Sequence, residues 1–304
     1  MPYTNNNWGD VEMSFINNVI NIVLKYSNMK DIQNQKIDKG IDKLIRQSPK
    51  SKQLKNLSFK KEPFKNRTIS HIKNKTNSKN IDVIYLHGGC YALGIQSGHW
   101  ALSTFISRET GANVFVVDYP LIPENHSGAA LNFTFAYYKH HIKNSNNPIV
   151  IIGDSAGAGL ATSLCMTIRD NKVKPADQLI LLSPYLDTLC SDYRQLSYQK
   201  KDFFLSVKGL SRSGKIYIGN LKSDDFRVNP IHGSFKNLPP LKIFTSDRDI
   251  LHVDSLRLVK ILKDLNIEFE LYEENNVMHD WMVIDQLPEA ITARNKLVEY
   301  IINS

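Results

Sequence analysis

Four consecutive β-branched residues, Ile149-Val150-Ile151-Ile152, run straight into Gly153-Asp154-Ser155-Ala156-Gly157 and then into an alanine-rich stretch. A short, wholly apolar run of this kind forms a buried strand, and Ala158, Leu160, Ala161, Leu164, Cys165 and Ile168 follow it at helical spacing. Strand, tight turn and helix therefore succeed one another without a break. In a G-x-S-x-G turn the two glycines let neighbouring backbones approach, and the serine is forced outward above the carboxyl ends of the sheet. Ser155 is thus a candidate nucleophile. An ordinary βα turn with a capping serine would carry the same five residues, so the rest of the chain has to supply its partners.

Apolar runs recur in a regular order. Ile81 to Leu86, Val114 to Val117, Ile149 to Ile152, Gln178 to Leu182, Leu241 to Thr245 and Ile267 to Tyr272 read as strands, with helices from about Ser97 to Thr110 and near Ala129 to Ile142. Short polar strands precede them near residues 57 to 73. Strands alternating with helices imply an α/β protein with a mostly parallel central sheet covered on both faces. Ligands of such sheets bind beyond the carboxyl ends of the strands.

Two stretches stand outside the alternation. Asp10 reads as an N-cap for an amphipathic helix with Phe15, Val19, Ile22, Val23 and Tyr26 on one face, and a second helix follows from about Asp31 with Ile37, Ile41, Leu44 and Ile45. Between Pro184 and Pro230 the periodicity lapses into a long stretch with Tyr193, Tyr198, Phe203, Phe204 and Tyr217 among polar residues. Both N-terminal apolar faces need a partner, and the two pieces together suggest a lid. The expected division is a helical cap from residues 1–50 and 188–226 on a catalytic core from 51–187 and 227–304.

An acyl-transfer serine needs donors for an oxyanion, a base, and an acid to orient that base. His87-Gly88-Gly89-Cys90-Tyr91 follows the first parallel strand, and the N–H groups of Gly88 and Gly89, with that of Ala156, are the expected oxyanion donors. His87 reads as a residue that holds this loop. Among the histidines after Ser155, His232 precedes the expected acid strand and His252 lies too near the acid in sequence. His279, in Asn276-Val277-Met278-His279-Asp280-Trp281, follows the last strand and is the expected base. The acid falls in Ser246-Asp247-Arg248-Asp249-Ile250-Leu251, where spacing leaves Asp247 and Asp249 both open.

The motifs His87-Gly88-Gly89, Asp118-Tyr119-Pro120-Leu121-Ile122-Pro123-Glu124, Gly153-Asp154-Ser155-Ala156-Gly157, Asp249-Ile250-Leu251 and Met278-His279 occur in an order that resembles the hormone-sensitive-lipase-like esterase and lipase branch of the α/β-hydrolases. The resemblance runs from about residue 81 to the end. It implies the α/β-hydrolase fold, a carboxylic ester hydrolase of short- to medium-chain acyl esters, a cap over the site and no cofactor. Residue by residue it implies Ser155 as nucleophile, Asp249 as acid through its D-x-L motif, His279 as base, and Gly88 and Gly89 at the oxyanion. Cys90 stands where many members carry a third glycine. An amidase or peptidase with the same triad, or a binding protein on the same fold, are the competing readings.

Composition excludes other classes. Residues 50 to 79 hold ten Lys or Arg against Glu62 alone, which accounts for the whole net charge of +8, and no aromatic interleaving marks them as a nucleic-acid stripe. Cys90, Cys165 and Cys190 lack zinc-ligand spacing and read as reduced thiols, so no metal is expected. The first residues carry neither a basic nor an apolar signal region, and no run of about 18 apolar residues occurs. The expectation is a cytoplasmic protein with a small-molecule ester substrate, no nucleic-acid partner and no stable membrane insertion.

Overall fold

Alternation inside the apolar runs separates two cores. In a computed structural model, residues 14–26, 30, 46–126 and 128–304 are described. The strands are β1 (Leu57–Phe64), β2 (Arg67–Asn74), β3 (Asp82–Leu86), β4 (Asn113–Val117), β5 (Ile149–Asp154), β6 (Gln178–Leu182), β7 (Leu241–Ser246) and β8 (Phe269–Glu274). They form one sheet in the order β1-β2-β4-β3-β5-β6-β7-β8, antiparallel for the β1–β2 and β2–β4 pairs and parallel elsewhere. Ile149, Ile151, Leu179 and Leu181 point into one core, while Val150, Ile152, Ile180 and Leu182 point into the other. Burying each such side chain is worth roughly 1.5–3 kcal/mol, which is why these strands read as unbroken apolar runs.

The helices are α1 (Phe15–Tyr26), α2 (Ser97–Thr110), α3 (Ala129–Asn144), α4 (Ala156–Asp170), α5 (Gln195–Tyr198), α6 (Val207–Ile218), α7 (His252–Asp264) and α8 (Pro288–Ile302). Apolar side chains of α3 and α4 fill the core that holds Ile151, and those of α2 and α8 fill the core that holds Ile152. From β3 the chain passes to β4 on one side, then returns to β5 on the other. The carboxyl ends of β3 and β5 therefore flank the point where strand order reverses, the usual place for a ligand crevice.

The basic segment has a structural use. It includes the β1–β2 hairpin, and β1 is an edge strand with Lys60 and Lys61 exposed. Lysines on an edge oppose pairing with a strand from another molecule.

The face expected to bury on α1 is the wrong one. Phe15, Val19, Ile22, Val23 and Tyr26 are exposed, with Phe15 at 82%, whereas Asn17 and Asn21 are buried. The surface beneath the helix is polar: both asparagine amides donate to the carbonyl of Asn276, at 3.1 and 3.4 Å, and Ser14 donates through N and Oγ to the Glu289 carboxylate. Asparagines satisfy such a surface and isoleucines cannot. The Asp10 cap and the second helix expected from Asp31 lie outside the described residues. Within the insertion between Pro184 and Pro230, α5 and α6 are the helices, and Pro230–His232 closes it as one 3-10 turn.

Candidate active site

Ser155 occupies the turn between β5 and α4 with φ 52° and ψ −118°, a backbone shape that costs a non-glycine residue of order 1–3 kcal/mol. Its surroundings over-determine that shape. The Ser155 N–H donates to Leu182 O at 2.8 Å, and the carbonyl accepts from Tyr185 N at 3.1 Å. A Cβ at Gly157 would lie 1.9 Å from Leu86 O, so only glycine lets α4 start this close to β3.

Turns after β7 and β8 bring the expected acid and base to the same edge. His279 Nε2 is 3.0 Å from Ser155 Oγ, and His279 Nδ1 is 2.7 Å from Asp249 Oδ2. A carboxylate only accepts, so Nδ1 carries the hydrogen and Nε2 faces the serine. All three residues are buried, at 2% exposure or less. Burial alone would lower the His279 imidazole, but the carboxylates of Asp249 and Asp280 outweigh it and hold the group well above its ordinary value. The two aspartates that spacing left open have separate tasks: Asp247 Oδ1 accepts from Asn276 N at 2.6 Å, anchoring the base of the turn that carries His279. His232 and His252 stay outside the constellation, the latter bonded to Thr245 Oγ1 at 3.0 Å.

The loop after β3 differs from expectation in one donor. Gly88 N donates to Asp154 Oδ2 at 2.8 Å, so its N–H is already engaged. Among the described residues the N–H groups of Gly89, Cys90 and Ala156 make no hydrogen bond. The chain reaches this arrangement through left-handed backbone at Gly89 (φ 115°), Cys90 (φ 54°) and Tyr91 (φ 60°), and glycine suits the first of these. Asp154 organises the loop from below, accepting from Tyr85 OH at 2.5 Å with His99 Nε2 at 3.4 Å. Burial would raise its carboxyl, yet His99 and Tyr85 hold it below the ordinary range. His87 plays the holding part expected of it: its ring stacks on Tyr119, whose hydroxyl donates to His87 O at 2.6 Å. Burial, with His99 beside it, lowers the His87 imidazole to about 4, so it stays neutral.

The insertion reaches over the site. The ring of Phe204 stacks on His279 with centroids 6.2 Å apart, and Tyr217 of α6 stacks on Tyr91 at 3.6 Å. Asp202 in the same insertion accepts from Ile250 N at 3.0 Å, one residue beyond Asp249, and from Phe204 N and Leu205 N. No sequence signal pointed to Asp202. Asp280 was in plain view beside His279, and the structure sets its Oδ2 at 3.1 Å from Nε2. Cys90, Cys165 and Cys190 are free and buried, and burial pushes the Cys90 thiol up to about 11, which keeps it protonated at neutral pH.

Known proteins resemble this chain in sequence and in fold. Residues 83–283 match the family model described as the alpha/beta hydrolase fold. An esterase of Acinetobacter venetianus is 34% identical over 196 residues, covering 62% of this chain and 64% of that protein. An acetyl-hydrolase of Streptomyces hygroscopicus is 28% identical over 201 residues, covering 66% and 67%. The chain thus spans about two thirds of the length of these curated relatives. Among solved structures, the esterase EstE5 soaked with p-nitrophenyl butyrate superposes with a TM-score of 0.84 at 22% identity, covering 95% of this chain and 98% of that one. A hormone-sensitive lipase from a metagenome library superposes at 0.81 with 20% identity, covering 95% and 96%.

Proposed function

The chain belongs to the α/β-hydrolase fold family, and we propose that it is a serine carboxylic ester hydrolase acting on short- to medium-chain acyl esters. The observation that carries this reading is the unbroken relay from Ser155 Oγ through His279 to Asp249, at 3.0 and 2.7 Å, beside three unengaged backbone N–H groups. The names of the relatives, esterase and acetyl-hydrolase, support it.

Ser155 Oγ attacks the ester carbonyl carbon while Nε2 of His279 takes the hydroxyl proton. Asp249 holds the tautomer and stabilises the imidazolium without itself taking the proton. The carbonyl oxygen becomes an oxyanion facing the N–H groups of Gly89, Cys90 and Ala156, with Cys90 replacing Gly88 in the expected set. Each such donor is worth roughly 2.7–4 kcal/mol of transition-state stabilisation. His279 then protonates the leaving alcohol, and water hydrolyses the acyl-enzyme by the same steps in reverse. The insertion at 188–226, together with α1, serves as the cap: Phe204 over His279 and Tyr217 over Tyr91 limit the space before the serine.

Labelling with a fluorophosphonate probe, followed by peptide mapping, tests the reading. An adduct on Ser155 that vanishes in Ser155→Ala is the expected result, and labelling elsewhere in folded protein would falsify it. Matched ester and anilide substrates separate an esterase, which cleaves the ester far faster, from an amidase.

A further inference from the structure

Nε2 of His279 faces two oxygens. Ser155 Oγ lies 3.0 Å away and Asp280 Oδ2 lies 3.1 Å away, and the relay just described uses only the first. Asp280 is held in place by more than sequence adjacency. Its backbone is left-handed at φ 52°, its N–H donates to Ser183 Oγ at 3.3 Å, and its Oδ1 is buried without a partner among the described residues. Carboxylate oxygens cannot donate, so the contact with Nε2 is a hydrogen bond only when Nε2 carries a proton. With Nδ1–H committed to Asp249, that state is the imidazolium.

We propose that Asp280 is a positioning residue that accepts the Nε2–H of the His279 imidazolium and draws it away from Ser155, so that the serine gains its base only after that proton has left. The idea rests on the reading of Ser155 and His279 as nucleophile and base. The proton balance is simple. The imidazolium gives its Nε2 proton to solvent water, Nε2 is left with a lone pair, and Ser155 O–H turns to donate to it. During acylation the serine proton arrives on Nε2, and the leaving alkoxide takes it away.

The groups facing this pair come from every neighbouring loop. His279 meets Asp249 after β7, Asp202 from the insertion and Cys90 after β3; Asp280 meets Asp154 and Asp249. His99 and Tyr85 also act on Asp280 or are acted on by it. Burial pushes the Asp280 carboxyl up, and the His279 charge opposes that, so the two groups favour the ion pair in each other. A neutral amide at position 280 keeps the size of the side chain and removes the charge. The resting imidazolium then loses one of its two carboxylates.

The test is the rate of fluorophosphonate labelling of Ser155 against pH in wild type, Asp280→Asn and Asp280→Ala, with near-ultraviolet circular dichroism to verify folding. Both variants should move the acid limb of the profile to lower pH by about 1 unit, and on that limb they should be labelled several-fold faster than wild type. A limb that stays in place, or moves up, in a folded variant overturns the proposal, even if the alkaline plateau falls, because a purely structural residue lowers the rate at every pH. Wild type that is labelled at no pH indicts the nucleophile assignment instead, which keeps the two failures apart.

Discussion

Along β5 the chain buries Ile149, Val150, Ile151 and Ile152 completely, and all four of their side chains are apolar. Across the insertion between Pro184 and Pro230 the residues withdrawn from water include Asp187, Gln195, Asp202 and Asn229, each bonded to a group far along the chain. Asp187 pairs with Arg257 of α7, and Asp254 of α7 accepts from Leu186 N, Asp187 N and Gln195 Nε2. One region is held by area removed from water, which any apolar residue of the right size supplies. The other also buries Leu205, Leu210, Tyr217 and Val228, but adds directional bonds that tolerate few substitutes. The Ser155 turn stands at the end of the first region, and Phe204 of the second lies against His279.

If that division is right, changes at the sheet's edge strike the rate and changes in the insertion strike selectivity and stability. Ser155→Ala should have the largest effect, a loss of about 10⁶-fold in kcat with an unchanged melting temperature. Asp249→Asn comes next at about 10⁴-fold, because the amide favours the wrong imidazole tautomer, while Asp247→Asn should cost about tenfold or less through a loosened His279 turn. Steady-state kinetics on one p-nitrophenyl ester orders all three, and a greater loss at Asp247 than at Asp249 would reverse their roles. Phe204→Ala, from the insertion, should alter the ratio of kcat/KM between butyrate and longer acyl esters more than it alters kcat on the best of them. A uniform fall across chain lengths would place Phe204 with the rate-determining groups instead.

Stability provides a smaller contrast. Burial, with Asp187 nearby, pushes the Asp254 carboxyl up to about 8, and burial with Asp249 nearby pushes Asp202 up to about 6. An acid whose folded value lies above its unfolded one binds its proton more tightly when folded. Its contribution to stability is therefore fully present below the ordinary carboxyl range and is lost as the pH rises through the folded value. Melting curves of wild type and Asp254→Asn between about pH 5 and about pH 9 should show the difference moving in the variant's favour as pH rises. A constant difference would mean Asp254 is ionised throughout. The smallest effect belongs to the exposed Arg194–Asp192 pair at 2.7 Å, where Arg194→Ala should shift stability by less than about 1 kcal/mol.

The same contrast explains what could be read from residues alone. Periodicity located the parallel strands and the helix from Ser97 to Thr110 because a two-sided core writes itself into local pattern. The last strand starts at Phe269 and not at Ile267, since the Ile267 N–H is taken by Leu262 O at the end of α7 and never reaches β7. Ser155, Asp249 and His279 come together in space, while the Gly88 N–H is claimed by Asp154, a bond between residues 66 apart in sequence. Asp202 and the asparagines of α1 left no trace in local pattern for the same reason: their partners lie in distant turns. On α1 the visible pattern misled, since amphipathicity says that two faces differ and not which of them meets the protein.

That helix has a kinetic meaning. Asn17 and Asn21 both end on the carbonyl of Asn276, three residues before His279, and the apolar face of α1 contributes no burial to either core. Detaching it therefore exchanges a few hydrogen bonds for bonds to water, each worth only about 1 kcal/mol net, and takes from the cores only the partly buried Ile20. Such an opening belongs to the low-energy end of the protein's fluctuations, far below global unfolding. Each such excursion unties the backbone three residues before His279, so the order of that turn and the docking of α1 rise and fall together on one clock.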